Sequence, residues 1–127
     1  MIYICYRYDD EKWKNDLIST MLNPNTSIKE LPIIDRENLK GSPREEIKNY
    51  LKTLFDDATK MLILLGDHTH NGYFVKYEIE VAISREIPIG IIRIPETTGG
   101  LPSILNKDKY KIVDWKVEEI NNLLNNL

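Results

Sequence analysis

The chain has few of the residues that would mark a secreted, membrane-bound or nucleic-acid-binding protein. Among its 127 residues Cys5 is the only cysteine, so no internal disulfide can form and a cytoplasmic location is expected. No apolar run approaches the length of a membrane-spanning helix, and no basic leader precedes the first apolar residues. We therefore expect neither an anchor nor a signal peptide. The net charge of −3, with both signs mixed along the chain, argues against binding to nucleic acid.

Motifs of common cofactor and metal sites are also missing. No glycine-rich fingerprint or P-loop follows the first apolar run, so cradling of a dinucleotide cofactor or a nucleoside triphosphate is not predicted. His68 and His70 lie two residues apart, with no cysteine or third histidine nearby, and no metal site is predicted there. Cys5 lies within an apolar run and is interpreted as a buried, unreactive thiol.

The apolar runs that are present predict a single α/β domain over residues 1–127. Strands are predicted at residues 2–6, 31–34, 61–65, 87–92 and 110–113. Helical patterns separate them, which is typical of a parallel sheet covered by helices on both faces. Right-handed connections favour the strand order 2-1-3-4-5. In that order the ligand cleft is expected where the chain reverses direction, beside loops 5–10 and 66–72.

Residues 31–45 carry three local predictions. Pro32 suits an edge strand, where one backbone donor is not needed. Residues 36–41 are predicted to form a polar loop. Ser42 to Glu45 resemble a capping box, which predicts the start of a helix whose inner face includes Ile47 and Leu51.

The helix predicted to follow residue 73 contains a carboxylate in unusual surroundings. Its predicted core stripe consists of Val75, Ile79, Ala82 and Ile83. Glu80 lies off that stripe, four residues after Lys76, and is interpreted as a solvated charge. Glu78, in contrast, has only apolar residues three and four positions away, which is unfavourable for a carboxylate without a partner. It is either a boundary residue whose head group reaches water or a functional acid facing the predicted cleft.

A second apolar stripe on the same helix predicts an interface. Phe74, Tyr77 and Val81 are spaced by three and four residues and lie off the predicted core stripe. We expect a partner or a second copy of the chain to cover them, which predicts a homo-oligomer.

Two segments carry a family resemblance. Residues 3–10 read YICYRYDD, and residues 74–79 read FVKYEI and are followed by the strand IPIGI at 87–91. Together with the strand that ends at Gly66, they resemble the bacterial TIR-like family of Thoeris anti-phage systems. The resemblance implies a flavodoxin-like fold, cleavage of the nicotinamide–ribose bond of NAD, and a nucleotide product that activates an effector protein. This sequence departs from the family pattern at Cys5, where the family often has serine, and at Phe74, where it often has tryptophan.

The resemblance implies that Glu78 is the catalytic residue. Arg7 is a candidate for binding the pyrophosphate, and Tyr6 or Tyr8 for stacking on a ring of the substrate. The full predicted substrate-binding set is Tyr6, Arg7, Tyr8, Asp35, Gly66, His68 and Phe74. NAD is expected to be the substrate, with no further cofactor and no metal.

Two other functions stay open on the sequence. One is a non-catalytic TIR-like adaptor that only assembles. The other is a receiver-like regulator, in which Asp9, Asp10 and Asp67 would hold a divalent metal and a phosphate. The intact motif around Glu78 favours the enzyme over the adaptor.

Overall fold

Five strands form one parallel sheet in the computed structural model, which describes all of residues 1–127. The strands are β1 (Ile2–Cys5), β2 (Ile28–Lys29), β3 (Lys60–Leu65), β4 (Ile89–Arg93) and β5 (Ile112–Val113). Their order is β2-β1-β3-β4-β5, and every neighbouring pair is parallel. The predicted fold class and strand order are confirmed.

Helices cover both faces of this sheet. They are α1 (Glu11–Asp16), which continues into a π-helix (Leu17–Met21), α2 (Ile33–Leu39), α3 (Arg44–Leu54), α4 (Val75–Ser84) and α5 (Val117–Asn125). Two 3-10 turns, Tyr8–Asp10 and Thr69–Asn71, follow β1 and β3. None of the helices combines the length and the apolar character needed to cross a bilayer.

The core is divided by the sheet into two clusters, as the alternation of side chains along a strand requires. In β1, Tyr3 and Cys5 point to the cluster that contains the buried residues of α3 and α4. Ile4 and the adjoining Tyr6 point to the opposite cluster, beneath the π-helix and α5. The first cluster therefore joins α4 to β1 and α3.

The region from β2 to α3 differs from the sequence prediction. The second strand is Ile28–Lys29, while the predicted strand at 31–34 runs into α2. Most of the predicted loop at 36–41 is therefore helical. Pro32 has an extended backbone (φ −60°, ψ 151°) and forms the N-cap of α2, because the helix begins directly after it. The predicted capping box is also wrong, since the N-cap of α3 is Pro43 and no side chain caps the helix.

The helix α4 buries two sides instead of one, which overturns the predicted interface stripe. Val81 has no exposed surface, and Phe74 and Tyr77 are also buried in the core. Ile83, predicted as core, is 40% exposed. The cause is the position of α4, which contacts both α3 and β1 and therefore needs apolar residues on two sides.

Candidate functional site

A cavity of about 490 Å³ opens beside the carboxyl end of β1. Three segments line it: the turn after β1, the helix α2, and the stretch that leads into α4. Its lining residues are Arg7, Tyr8, Ile33, Arg36, Glu37, Lys40, Asn71, Gly72, Tyr73, Phe74 and Val75. Small-molecule sites commonly have volumes of about 300–1,000 Å³, so this cavity is large enough for a substrate.

Three predicted substrate-binding residues meet at this cavity. Arg7 and Tyr8 contribute from the turn after β1, and Phe74 contributes from the N-cap of α4. The Arg7 guanidinium lies 4.9 Å from the centre of the Tyr8 ring and is also paired with Asp9. Tyr8 is 60% exposed, so its ring is free to contact a ligand at the cavity mouth.

The remaining predicted substrate-binding residues lie outside the cavity lining. Tyr6 is buried in the core and its hydroxyl donates to Glu30 at 2.9 Å. Asp35 accepts a hydrogen bond from Tyr50 of α3 at 2.6 Å, which ties α2 to α3. Gly66 is buried, and His68 is exposed in the loop after β3.

Glu78 lies in the first turn of α4 and has no exposed surface. It is therefore not a boundary residue that reaches water, and it does not line the cavity either. The Tyr3 hydroxyl of β1 donates to Glu78 Oε2 at 2.5 Å. Its other oxygen, Oε1, is buried without a hydrogen-bond partner. A buried carboxyl with one unpaired oxygen is rare in folded proteins and requires an explanation.

The surroundings of Glu78 change its acidity. Burial raises the pKa of Glu78 from 4.5 to about 7, although the Arg36 charge and the Tyr3 hydrogen bond both act to lower it. Burial, reinforced by the nearby Glu78 carboxyl, also raises the pKa of Tyr3 and of Cys5. Near neutral pH, Glu78 therefore exchanges a proton while these two neighbours stay neutral.

Arg36 is one of the site residues that the sequence prediction missed, together with Lys40 in the cavity lining and Tyr3, which donates to Glu78. The Arg36 side chain is almost fully buried, and it lines the cavity from α2. Nε donates to the carbonyl of Leu31 and Nη1 to the carbonyl of Tyr6, both at 3.0 Å. The guanidinium lies 4.4 Å from the centre of the Tyr6 ring. Nη2 is buried without a partner, as Glu78 Oε1 is.

One sequence signal for Arg36 was available. Ile33, Arg36 and Leu39 are spaced by three residues, which places a cation on the inner face of a helix if residues 33–39 are helical. The prediction of a strand and a loop across this segment concealed that spacing.

The acidic residues at the carboxyl ends of β1 and β3 form a separate feature. Burial and the Asp9 charge raise the pKa of Asp10, which is half-buried and close to Gly66. Asp67 accepts a hydrogen bond from the Thr98 amide at 2.8 Å. No group of three or more histidine, cysteine or acidic side chains in the chain is arranged to hold a metal ion. The receiver-like alternative has no assembled metal site on these residues.

The cavity combines positive charge with aromatic surface. Its cations are Arg7, Arg36 and Lys40, and Glu37 is its only acidic residue. Tyr8 and two neighbouring rings, Tyr73 and Phe74, line the same space; those two lie edge to face at 4.8 Å. Such a lining suits a ligand that carries both a negatively charged group and a flat ring.

Comparison with known proteins agrees with this architecture. The family model described as the TIR-like domain of the Thoeris protein ThsB matches residues 3–99. Among solved structures, the chain is similar to the TIR domain of the Toll-related receptor TRR-2 from Hydra magnipapillata. The TM-score is 0.59 at 17% identity, over 98% of this chain and 92% of the other. No curated protein matches the chain in sequence. The chain therefore belongs to the Thoeris ThsB family of TIR-like domains.

Proposed function

We propose that this domain cleaves the nicotinamide–ribose bond of NAD and that Glu78 is its catalytic residue. The observation that carries the proposal is a fully buried carboxyl with one unpaired oxygen, on the helix whose N-cap and first residue, Phe74 and Val75, line a cationic and aromatic cavity. Strongly perturbed carboxyl groups next to clefts are frequent at active sites. NAD supplies both chemical features that suit the cavity, a pyrophosphate and flat rings.

Each part of the site has a role in this reaction. Departure of nicotinamide leaves positive charge on the ribose, and an ionised Glu78 stabilises that charge in the transition state. Arg7 and Lys40 bind the pyrophosphate, while Tyr8 and Phe74 contact a ring of the substrate. Because only the ionised carboxylate is effective, turnover is expected to increase with pH through about 7, the pKa of Glu78.

The substrate reaches Glu78 only after a movement. The carboxyl has no exposed surface and does not line the cavity, whereas Phe74 and Val75, four and three residues before it, do. The structure therefore corresponds to a resting state in this proposal, and a trigger during infection opens a path from the cavity to Glu78. The product is an ADP-ribose derivative, linear, cyclised or conjugated, which acts as a signal in anti-phage defence and activates an effector protein.

The decisive experiment compares two glutamates of the same helix. Purified wild type, Glu78→Gln and Glu80→Gln are incubated with NAD, with and without extract from infected cells, and products are identified by mass spectrometry. Glu80 is the matched control because it pairs with Arg44 at 2.9 Å and Lys48 at 3.4 Å on α3, away from the cavity. We expect loss of turnover only in Glu78→Gln. Equal turnover in Glu78→Gln and wild type would exclude the catalytic assignment.

One observation favours a second function, that of a non-catalytic assembly domain. The complete burial of Glu78 leaves no open path for a substrate in this state. In that case wild type would associate with further copies of itself and would leave NAD intact under every condition. Sedimentation of the same samples measures this self-association directly.

A further inference from the structure

Tyr3 is held rigidly in the part of the core that joins β1, α3 and α4. It lies on β1, has no exposed surface, and stacks its ring on that of Phe55, the residue that follows α3. The two ring centres are 4.0 Å apart, and the rings are inclined by only 21°. A ring packed in this way has one available orientation, so its hydroxyl is a donor at a fixed point.

That donor contacts one oxygen of the Glu78 carboxyl. The Tyr3 hydroxyl donates to Oε2 at 2.5 Å. Bonds from a hydroxyl to an ionised oxygen typically measure about 2.5–2.7 Å, so this one is at the short end of the strong class. Oε1 of the same carboxyl is buried and has no partner. The two oxygens therefore differ, since one is held by the sheet and the other is available for a new contact.

We propose that Tyr3 is a positioning residue that holds Oε2 of Glu78 and thereby leaves Oε1 as the oxygen that meets the ribose of the substrate. Tyr3 does not line the cavity, so it acts through Glu78 and not by touching the substrate. A carboxylate with one oxygen held cannot turn freely about its last bond, and its other oxygen is aligned before the substrate arrives. The effect of Tyr3 on turnover rests on the proposed function, whereas its hold on the carboxyl does not.

The other groups that act on the carboxyl do not orient it in this way. Burial raises the pKa of Glu78, the Arg36 charge and the Cys5 thiol act to lower it, and the Glu30 charge raises it. A charge at a distance does not select one oxygen, and a thiol is only a weak donor. Burial also raises the pKa of Tyr3, so its hydroxyl keeps its proton and remains a donor.

The helix α3 also faces α4, but its cations serve a different residue. Arg44 and Lys48 pair with Glu80 at 2.9 Å and 3.4 Å, two positions after the buried carboxyl. Removing the Tyr3 hydroxyl therefore changes the bonding of Glu78 without changing any charge near it.

The first experiment measures the hold of Tyr3 on the carboxyl. The ¹³C resonance of the Glu78 carboxyl is assigned by its absence in Glu78→Gln and followed with pH in wild type, Tyr3→Phe and Tyr50→Phe. Tyr3→Phe keeps the ring and removes the hydroxyl, which should raise the midpoint by about one to two pH units, because the bond favours the ionised form. Tyr50→Phe is the matched control: it removes a hydroxyl that donates to another carboxylate, Asp35, at 2.6 Å, and should leave the midpoint unchanged.

The second experiment separates positioning from acidity. The kcat and KM for NAD are measured across pH in the same three proteins, with extract from infected cells present. At pH values above both midpoints Glu78 is ionised in every protein, so protonation no longer contributes to a difference in rate. On this plateau Tyr3→Phe should lower kcat by about tenfold to a hundredfold with little change in KM, because the reacting oxygen has lost its alignment. Tyr50→Phe should keep both constants.

Either unchanged result in folded Tyr3→Phe would overturn the proposal. A midpoint equal to that of wild type would mean that Tyr3 does not hold the carboxyl. A plateau kcat equal to that of an active wild type would mean that the hold does not align the reacting oxygen. If the midpoint moves and wild type leaves NAD intact under every condition, the hold of Tyr3 stands and the enzymatic function fails.

If Tyr3→Phe does not fold, wild type decides through the proton of the Tyr3 hydroxyl. A proton in this buried bond should give a slowly exchanging, downfield ¹H signal that shifts with the same midpoint as the Glu78 carboxyl. The signal should lose its pH dependence in Glu78→Gln. A wild-type signal that is missing, or constant over this pH range, would overturn the proposal.

Discussion

Replacing Glu78 by glutamine should stabilise the protein at neutral pH while removing the carboxyl group. Burial raises the pKa of Glu78 to about 7, against 4.5 in its ordinary surroundings. Between these two values the folded protein binds a proton that the unfolded chain has released, so stability falls as pH increases through this window. The pKa difference of about 2.5 units corresponds to a loss of about 3 kcal/mol in the free energy of unfolding. The loss is complete above about pH 7. Glutamine is neutral throughout and avoids this loss.

Urea unfolding of wild type and Glu78→Gln across this pH range tests the reasoning. The two proteins should be similar in stability near pH 4, and the variant should be more stable by about 3 kcal/mol near pH 8. Other titrating groups are common to both proteins and cancel in the difference. A difference that stays constant from acid to neutral pH would refute the argument, because Glu78 would then have the same pKa in the folded and unfolded chains.

Glu80→Gln provides a control of opposite sign. Burial raises the pKa of Glu80, but the bonds from Arg44 and Lys48 more than reverse this and leave it below its ordinary value. Glu80 therefore contributes stability above its unfolded pKa, and this contribution disappears as pH falls through the folded value. Glu80→Gln should be less stable than wild type at neutral pH and should approach it in acid.

Three further substitutions test the packing around the site. Val81→Arg places an unpaired charge where no surface is exposed, so it should lower stability by at least about 3 kcal/mol; a wild-type melting temperature would show that Val81 is not core. Tyr3→Phe removes the donor to Glu78 and should lower the urea-unfolding free energy by about 1–3 kcal/mol above pH 7 and by less in acid; an equal loss at both pH values would contradict this bond. Gly99→Ala directs a methyl group against backbone oxygens of the loop after β3, whereas Gly100→Ala meets nothing within 4 Å. Thermal unfolding should therefore show a loss for Gly99→Ala only, and equal melting temperatures would mean that this loop adjusts freely.

The sheet could be predicted from the sequence because its strands are continuous apolar runs. Residues 61–65 are all buried, as expected for a central strand covered on both faces. The segment from 31 to 39 could not be predicted in the same way. Leu31, Ile33 and Ile34 form an apolar run around a proline, yet Ile34 is 67% exposed on α2. Such a short run fits a strand and one turn of a helix equally well.

The carboxyl at the centre of the site was identifiable, while its partners were not. Glu78 stood out because its helical neighbours are apolar, a local property of the sequence. Its hydrogen bond comes from Tyr3, 75 residues earlier. The positive charge that lowers its pKa belongs to Arg36, in a segment predicted as a loop. The phase of α4 was wrong for a similar reason. The spacing of apolar residues along a helix indicates one buried face. Whether a second face of α4 is buried depends on where α3 packs, which the spacing does not reveal.

The thiol of Cys5 is a second neighbour that affects the acidity of Glu78. It is fully buried on the face of β1 that carries Tyr3, and its pKa is raised by burial and by the nearby Glu78. A thiol is a weak donor, whereas the hydroxyl of serine is a stronger one. The Cys5 thiol already acts to lower the pKa of Glu78, so Cys5→Ser is expected to lower it further. A change of one atom on β1 would thus alter the acidity of a carboxyl on α4 while leaving the fold as it is.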